Sequence, residues 1–276
     1  MGSIYRSTTG RELIRHWCLD QLDAWPVPHE CRTVVAKGAR THVVLAGTGT
    51  TTVLFVPGSN FNAAASLPLA TTLTAAGYRV LLVDVPGQPG LSSGERGPSG
   101  GRLSWYGAWL SEVIEEMSSE PVTVMGHSLG AAVALSCDSP RIDRLLLVCP
   151  GGLTRLRLTP AVLAASAAWI LRPTPTHSAR LLRAMLAPGH PPREALVDWM
   201  TLVARNCRFS GAPGIAVQPT RSMPRIVVAG RHDVFLPPRR LGPAVRDRLG
   251  VDLGVVPEAG HLLVEERADY LTTLLE

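Results

Sequence analysis

The strongest chemical signal in the chain is Gly126-His127-Ser128-Leu129-Gly130, which follows the apolar run 122–125 and opens a helical stretch at 129–137. A strand that turns at once into a helix holds the residue at the turn in strained backbone, and side chains two positions either side of it would collide. The turn lifts the Ser128 hydroxyl out of the sheet at a helix N-terminus. There the N–H of Leu129 and the helix dipole favour a developing oxyanion. The chemistry this suits is nucleophilic attack on an acyl carbon. The alternative is a glycine-flanked helix cap; the strand–turn–helix setting favours the nucleophile.

A nucleophilic serine needs a base, and the base needs an orienting acid. His261 stands in Ala259-Gly260-His261-Leu262, after the run 253–256, and Asp233 stands in Gly230-Arg231-His232-Asp233, after the run 225–229. Both fall in loops at the carboxyl ends of apolar runs, where open α/β sheets carry their sites. Asp252 begins its run and faces the wrong end, and Asp84 belongs to a Pro/Gly-rich loop (84–92) read as structural. His127 lies inside the turn, pointing away from the serine's side and bordering the pocket. The loop Pro57-Gly58-Ser59-Asn60, after the run 52–56, is expected to give the second oxyanion donor. Gly58 lets the backbone approach the substrate, so the donor is the N–H of Ser59 or of Asn60.

These residues need a frame, and the chain supplies one. A helix is read over 11–25 and two strands over 31–36 and 41–46. From position 51 short apolar runs (52–56, 79–84, 122–125, 144–149, 225–229, 253–256) alternate with helical stretches (63–76, 103–118, 129–137, 239–249, 262–275). Runs that are apolar throughout belong to strands buried on both faces of a parallel sheet. Strand–helix alternation implies right-handed crossovers and a doubly wound α/β sheet. Between 149 and 225 the rhythm stops. Three helical stretches (161–171, 178–186, 193–206), punctuated by proline, read as a lid whose candidate liners are Leu163, Trp169, Leu181, Met185, Trp199 and Val203. The expected organisation is an N-terminal helical extension (1–28), an α/β core (29–152 and 224–276) and a helical lid (153–223).

Composition sets the outer limits. The 276 residues are 46% hydrophobic and 18% charged, which fits one large globular domain and argues against disorder. The net charge of +5 could suggest nucleic acid, but Lys37 is the only lysine and no basic block occurs, so no nucleic-acid partner is expected. The excess sits in 153–223, where nine arginines (155, 157, 172, 180, 183, 193, 205, 208, 221) face two acids, Glu194 and Asp198. It reads as a solvated helical face, or else as a rim attracting an anionic substrate or an acyl carrier protein. The five scattered cysteines form no CxxC pair, so zinc and a disulfide framework are not expected. With no apolar leader and no spanning segment, the expected location is the reducing cytoplasm.

Together these segments resemble the α/β-hydrolase superfamily over roughly 31–276. Trp25-Pro26-Val27-Pro28, Thr41-His42-Val43-Val44 and Ala259-Gly260-His261-Leu262 are similar to bacterial carboxylesterases of the naproxen-esterase type. The resemblance implies a mostly parallel doubly wound sheet with the lid inserted before the acid-bearing strand. It also implies the chain order nucleophile, acid, histidine, which selects Ser128, Asp233 and His261 over His232. The implied activity is cleavage of a carboxylic ester of a small, largely apolar molecule through an acyl-enzyme, without cofactor or metal. The alternatives are a thioesterase or acyl-transfer enzyme acting on carrier- or CoA-bound groups, and a hydrolase-like binding protein. Epoxide hydrolases and haloalkane dehalogenases would need Asp where Ser128 stands. Many relatives begin the oxyanion loop with His-Gly; Pro57-Gly58 stands here instead, and backbone donors do not depend on that histidine.

Overall fold

The computed structural model describes residues 2–95, 97–98, 100–209, 214–216 and 222–276. The apolar runs form one eight-stranded sheet. Its strands are β1 (His29–Ala36), β2 (Ala39–Ala46), β3 (Thr52–Val56), β4 (Arg79–Val83), β5 (Val122–His127), β6 (Ile142–Val148), β7 (Arg225–Gly230) and β8 (Leu253–Val256). Their order is β1-β2-β4-β3-β5-β6-β7-β8, with β1–β2 and β2–β4 antiparallel and the rest parallel. Every residue of β3 and β5 is buried, as strands covered on both faces must be.

From β3 the chain crosses to β4 on one side through α2 (Leu67–Ala75), then to β5 on the other side through α3 (Arg102–Met117). Right-handed crossovers in opposite directions put these two helices on opposite faces. The order reverses at β3 and β5, and the crevice beyond their carboxyl ends is where such sheets bind ligands. The loop at Gly58 and the turn at Ser128 both open into it. Helix α3 shows how pattern becomes packing: Tyr106, Trp109, Leu110, Val113, Ile114 and Met117 recur at helical spacing, and all are buried. The other core helices are α4 (Leu129–Leu135), α8 (Pro238–Leu249), α9 (Leu263–Glu266) and α10 (Ala268–Thr273). The helix expected over 262–275 is thus two, because Arg267 between them leaves helical geometry at φ −141°, ψ 49°.

The interval between β6 and β7 carries α5 (Pro160–Leu171), α6 (Pro175–Met185) and α7 (Glu194–Asn206). Its prolines start helices as much as they end them. Pro160 and Pro175 occupy first-turn positions, where proline suits the helix, and the hydroxyls of Thr159 and Thr174 cap the N–H groups of Val162 and His177. Helix α1 (Thr8–Asp23) buries Ile14, Cys18 and Leu22 in the same core as the sheet, and its Trp17 lies against Trp199 of α7, ring centroids 4.5 Å apart. Among the described residues no helix is long and apolar enough to cross a membrane. Arg221 lies outside the described residues.

Candidate active site

Ser128 follows the last residue of β5 with φ 52° and ψ −107°, the positive φ expected of the tight turn. A Cβ on Gly130 would lie 1.9 Å from the Val56 carbonyl oxygen, and one on Gly126 would lie 2.6 Å from that of Gly130. Both positions therefore require glycine. The Ser128 N–H donates to the Val148 carbonyl at 3.0 Å, and the Ser128 carbonyl accepts the N–H of Gly151 at 3.0 Å. The strained residue is thus tied to the end of β6.

Asp233 and His261 reach Ser128 from the loops after β7 and β8. The His261 Nε2 stands 3.1 Å from Ser128 Oγ, and Nδ1 stands 2.8 Å from Asp233 Oδ2. Asp233 Oδ1 accepts the N–H groups of Phe235 and Leu236 at 2.9 and 2.8 Å. Burial alone would raise the Asp233 pKa, but the neighbouring His261 and these N–H donors outweigh it and hold the carboxyl below its usual range. Every polar group of His261 is engaged, since its N–H donates to the Met185 carbonyl at 2.6 Å and its own carbonyl accepts from His127.

His127 lies beside His261, ring centroids 5.3 Å apart. Its Nε2 donates to the His261 carbonyl at 2.8 Å, while Nδ1 faces Gly58, where an added Cβ would approach it to 2.8 Å. Burial, with His261 beside it, drives its pKa down to about 3, so the ring is neutral at ordinary pH.

Of the three backbone groups expected to stabilise an oxyanion, the N–H groups of Leu129 and Ser59 have no acceptor among the described residues. The N–H of Asn60 is already spent on Gln88 Oε1 at 3.0 Å, which removes Asn60 as a donor. Asn60 has φ 67° and is held at both ends, because its carbonyl accepts the indole N–H of Trp199 at 2.7 Å.

These groups line a cavity of about 700 Å³, its open mouth included. Of the candidate pocket residues, Gly58, His127, Trp169, Leu181 and Met185 line it. Trp199 does not. It is fully buried between Trp17 and the Asn60 loop, and its neighbour Met200 takes the place at the wall. Leu163 faces solvent at 49% exposure, and Val203 is buried away from the cavity. Phe61, Leu156, Ser166 and Phe235 line it without having been anticipated. The Asp84 carboxylate is structural, accepting the N–H groups of Ala63 and Leu91.

Cys149 Sγ, an Asp233 carboxylate oxygen and a His261 ring nitrogen lie within 4.8 Å of one another, a set of metal-ligand types. Two ligands of one tetrahedral zinc stand about 3.3 Å apart. Asp233 and His261, at 2.8 Å, are close enough to share a proton and too close to hold zinc between them.

The chain matches the model of the alpha/beta hydrolase family over residues 53–272 and belongs to that family of hydrolytic enzymes. Its fold is that of carboxylesterase CesB from Bacillus subtilis (TM-score 0.77, 16% identity, 97% of each chain). It is also that of naproxen esterase from the same organism (TM-score 0.72, 17% identity, 94% of each chain). In sequence it is 37% identical over 122 residues to a 2-hydroxy-6-oxononadienedioate/2-hydroxy-6-oxononatrienedioate hydrolase of Cupriavidus pinatubonensis, a match spanning 40% of this chain and 36% of that protein.

Proposed function

We propose that the protein hydrolyses a carboxylic ester of a small, largely apolar molecule, with Ser128 as nucleophile. The observation that carries this is the hydrogen-bonded line Ser128–His261–Asp233 at the wall of a mainly apolar cavity. The Ser128 oxygen attacks the carbonyl carbon and its proton passes to His261 Nε2. The oxyanion accepts the N–H groups of Leu129 and Ser59, each such donor typically worth about 3 kcal/mol of barrier. The imidazolium returns the proton to the departing alcohol, leaving an acyl-enzyme. Water then attacks with His261 as base again, releasing the acid and free Ser128. Asp233 remains a carboxylate throughout, orienting the ring and stabilising its charge. Helices α5–α7 act as the lid, since Trp169, Leu181, Met185 and Met200 supply much of the apolar wall.

The curated relative's name describes a dioate substrate. Among the described residues lining this cavity there is no lysine or arginine, which favours a neutral ester over a dianion. A fluorophosphonate probe tests the reading. It should add one phosphonyl group on the peptide that contains Ser128, and an enzyme that stays unlabelled while folded contradicts the proposal.

A further inference from the structure

Glu266 is a carboxylate that the proposed chemistry does not use, and its side chain is only 2% exposed. Three N–H donors converge on it. Oε1 accepts the backbone N–H of Ala187 at 2.6 Å and Nδ1–H of His190 at 2.8 Å, both just beyond α6. Oε2 accepts the backbone N–H of Gly260, the residue before His261, at 2.7 Å. A second strand of the same knot runs through Met185. Its carbonyl accepts the N–H of His261 at 2.6 Å and of Leu262 at 3.3 Å, and its side chain lines the cavity. The fit leaves no slack, because a Cβ at Gly260 would lie 2.3 Å from the Met185 carbonyl oxygen.

We infer that Glu266 is a positioning residue that joins the Met185 wall of the cavity to the loop carrying His261, so that a substrate pressing on that wall sets the imidazole. The inference rests on the reading of His261 as the base. Charge-assisted hydrogen bonds are short and directional, and one buried carboxylate holding donors from two segments keeps them in register. Removing it frees the segment after Met185 from the loop before His261 without touching a reacting atom. Misplacement of a catalytic group on the scale of an ångström is enough to cost large factors in rate.

The test is a double-mutant cycle on kcat for a large ester, with a small ester as control and rates expressed per fluorophosphonate-titrated site. Glu266→Gln keeps the shape but turns one acceptor oxygen into a donor facing an N–H. It should lower kcat for the large ester about 10- to 100-fold with KM changed less than about threefold, and lower the small-ester kcat much less. Combined with Met185→Ala, the two losses should fall well short of the product of the single effects, because both cut one connection. Glu266→Asp, which keeps the charge and should fold if the glutamine variant does not, should show the same pattern more weakly. Equal loss on both esters, or strictly multiplicative effects, overturns the inference and marks Glu266 as a general structural support. Failure of the underlying reading looks different: Ser128 would then not label in the wild-type protein.

Discussion

His127 gives the site a pH dependence separate from that of the reaction, because burial forbids its charge. In the unfolded chain an imidazole takes up a proton below about 6.5, but here not until about 3. Between those values the unfolded chain binds more protons, so folding stability falls as the pH drops. From pH 7 to pH 5 the contribution of this one residue is about 2 kcal/mol. Asp233 is also held below its ordinary range, so its contribution is lost only at lower pH, as pH falls through its folded pKa, and does not overlap this window. Urea titrations at pH 7 and pH 5 measure the difference. His127→Gln still offers an N–H to the His261 carbonyl but cannot take a proton, and should remove that part of the loss; an unchanged difference would show that the titrating group lies elsewhere. At this scale the serine was legible in the sequence because glycines and a strand frame it. Glu266 was not, since a glutamate in a Glu-Glu-Arg run reads as a solvated surface, and only the fold brings the Ala187 and Gly260 N–H groups to it.

At the scale of elements, the carboxyl ends of β3 and β5 meet where the strand order reverses, and α7 holds the loop that follows β3. Trp199 was expected at the cavity because it is large and apolar at helical spacing. Helix α7, however, has two apolar faces to satisfy. One carries Met200 to the cavity, and the other presents Trp199 to Trp17 and the Asn60 carbonyl. Adjacent apolar residues on a helix do not announce which neighbour each will meet. The loop's backbone strain at Asn60 persists because Gln88 and Trp199 hold both of its peptide groups. Trp199→Phe keeps a ring against Trp17 but leaves the half-buried Asn60 carbonyl without its donor. Stability in urea should fall by about 1 kcal/mol, and kcat should fall about tenfold with little change in KM as the Ser59 N–H drifts. A kcat unchanged within twofold would mean that the loop holds its shape without the tryptophan. The strands were the most readable elements: β3 matches its apolar run end to end because burial on both faces leaves a continuous signature, and β8 matches its run although only Val256 of it is buried.

Over the whole molecule, three of the nine arginines counted in 153–223 hold the segments around α5–α7 together. Arg193 pairs with Glu265 and donates to the Ala65 carbonyl, Arg205 donates to the Pro173 carbonyl, and Arg208 reaches the Ser3 and Tyr5 carbonyls. Arg193 ties the inserted helices to the core and Arg208 ties them to the N-terminal segment, while Arg205 joins α7 to the turn between α5 and α6; the cavity itself is walled by parts of the chain far apart in sequence. That convergence is why the order of motifs could indicate the fold while the lining of the cavity had to await it. The central claim is that Ser128 is the group that attacks the ester. The most direct measurement is kcat for p-nitrophenyl butyrate in the wild-type protein and in Ser128→Ala, with folding of both checked by circular dichroism. A fall of about 10⁴-fold or more is predicted, on the scale of a lost triad nucleophile. A folded Ser128→Ala protein that retains turnover within tenfold of wild type would contradict it.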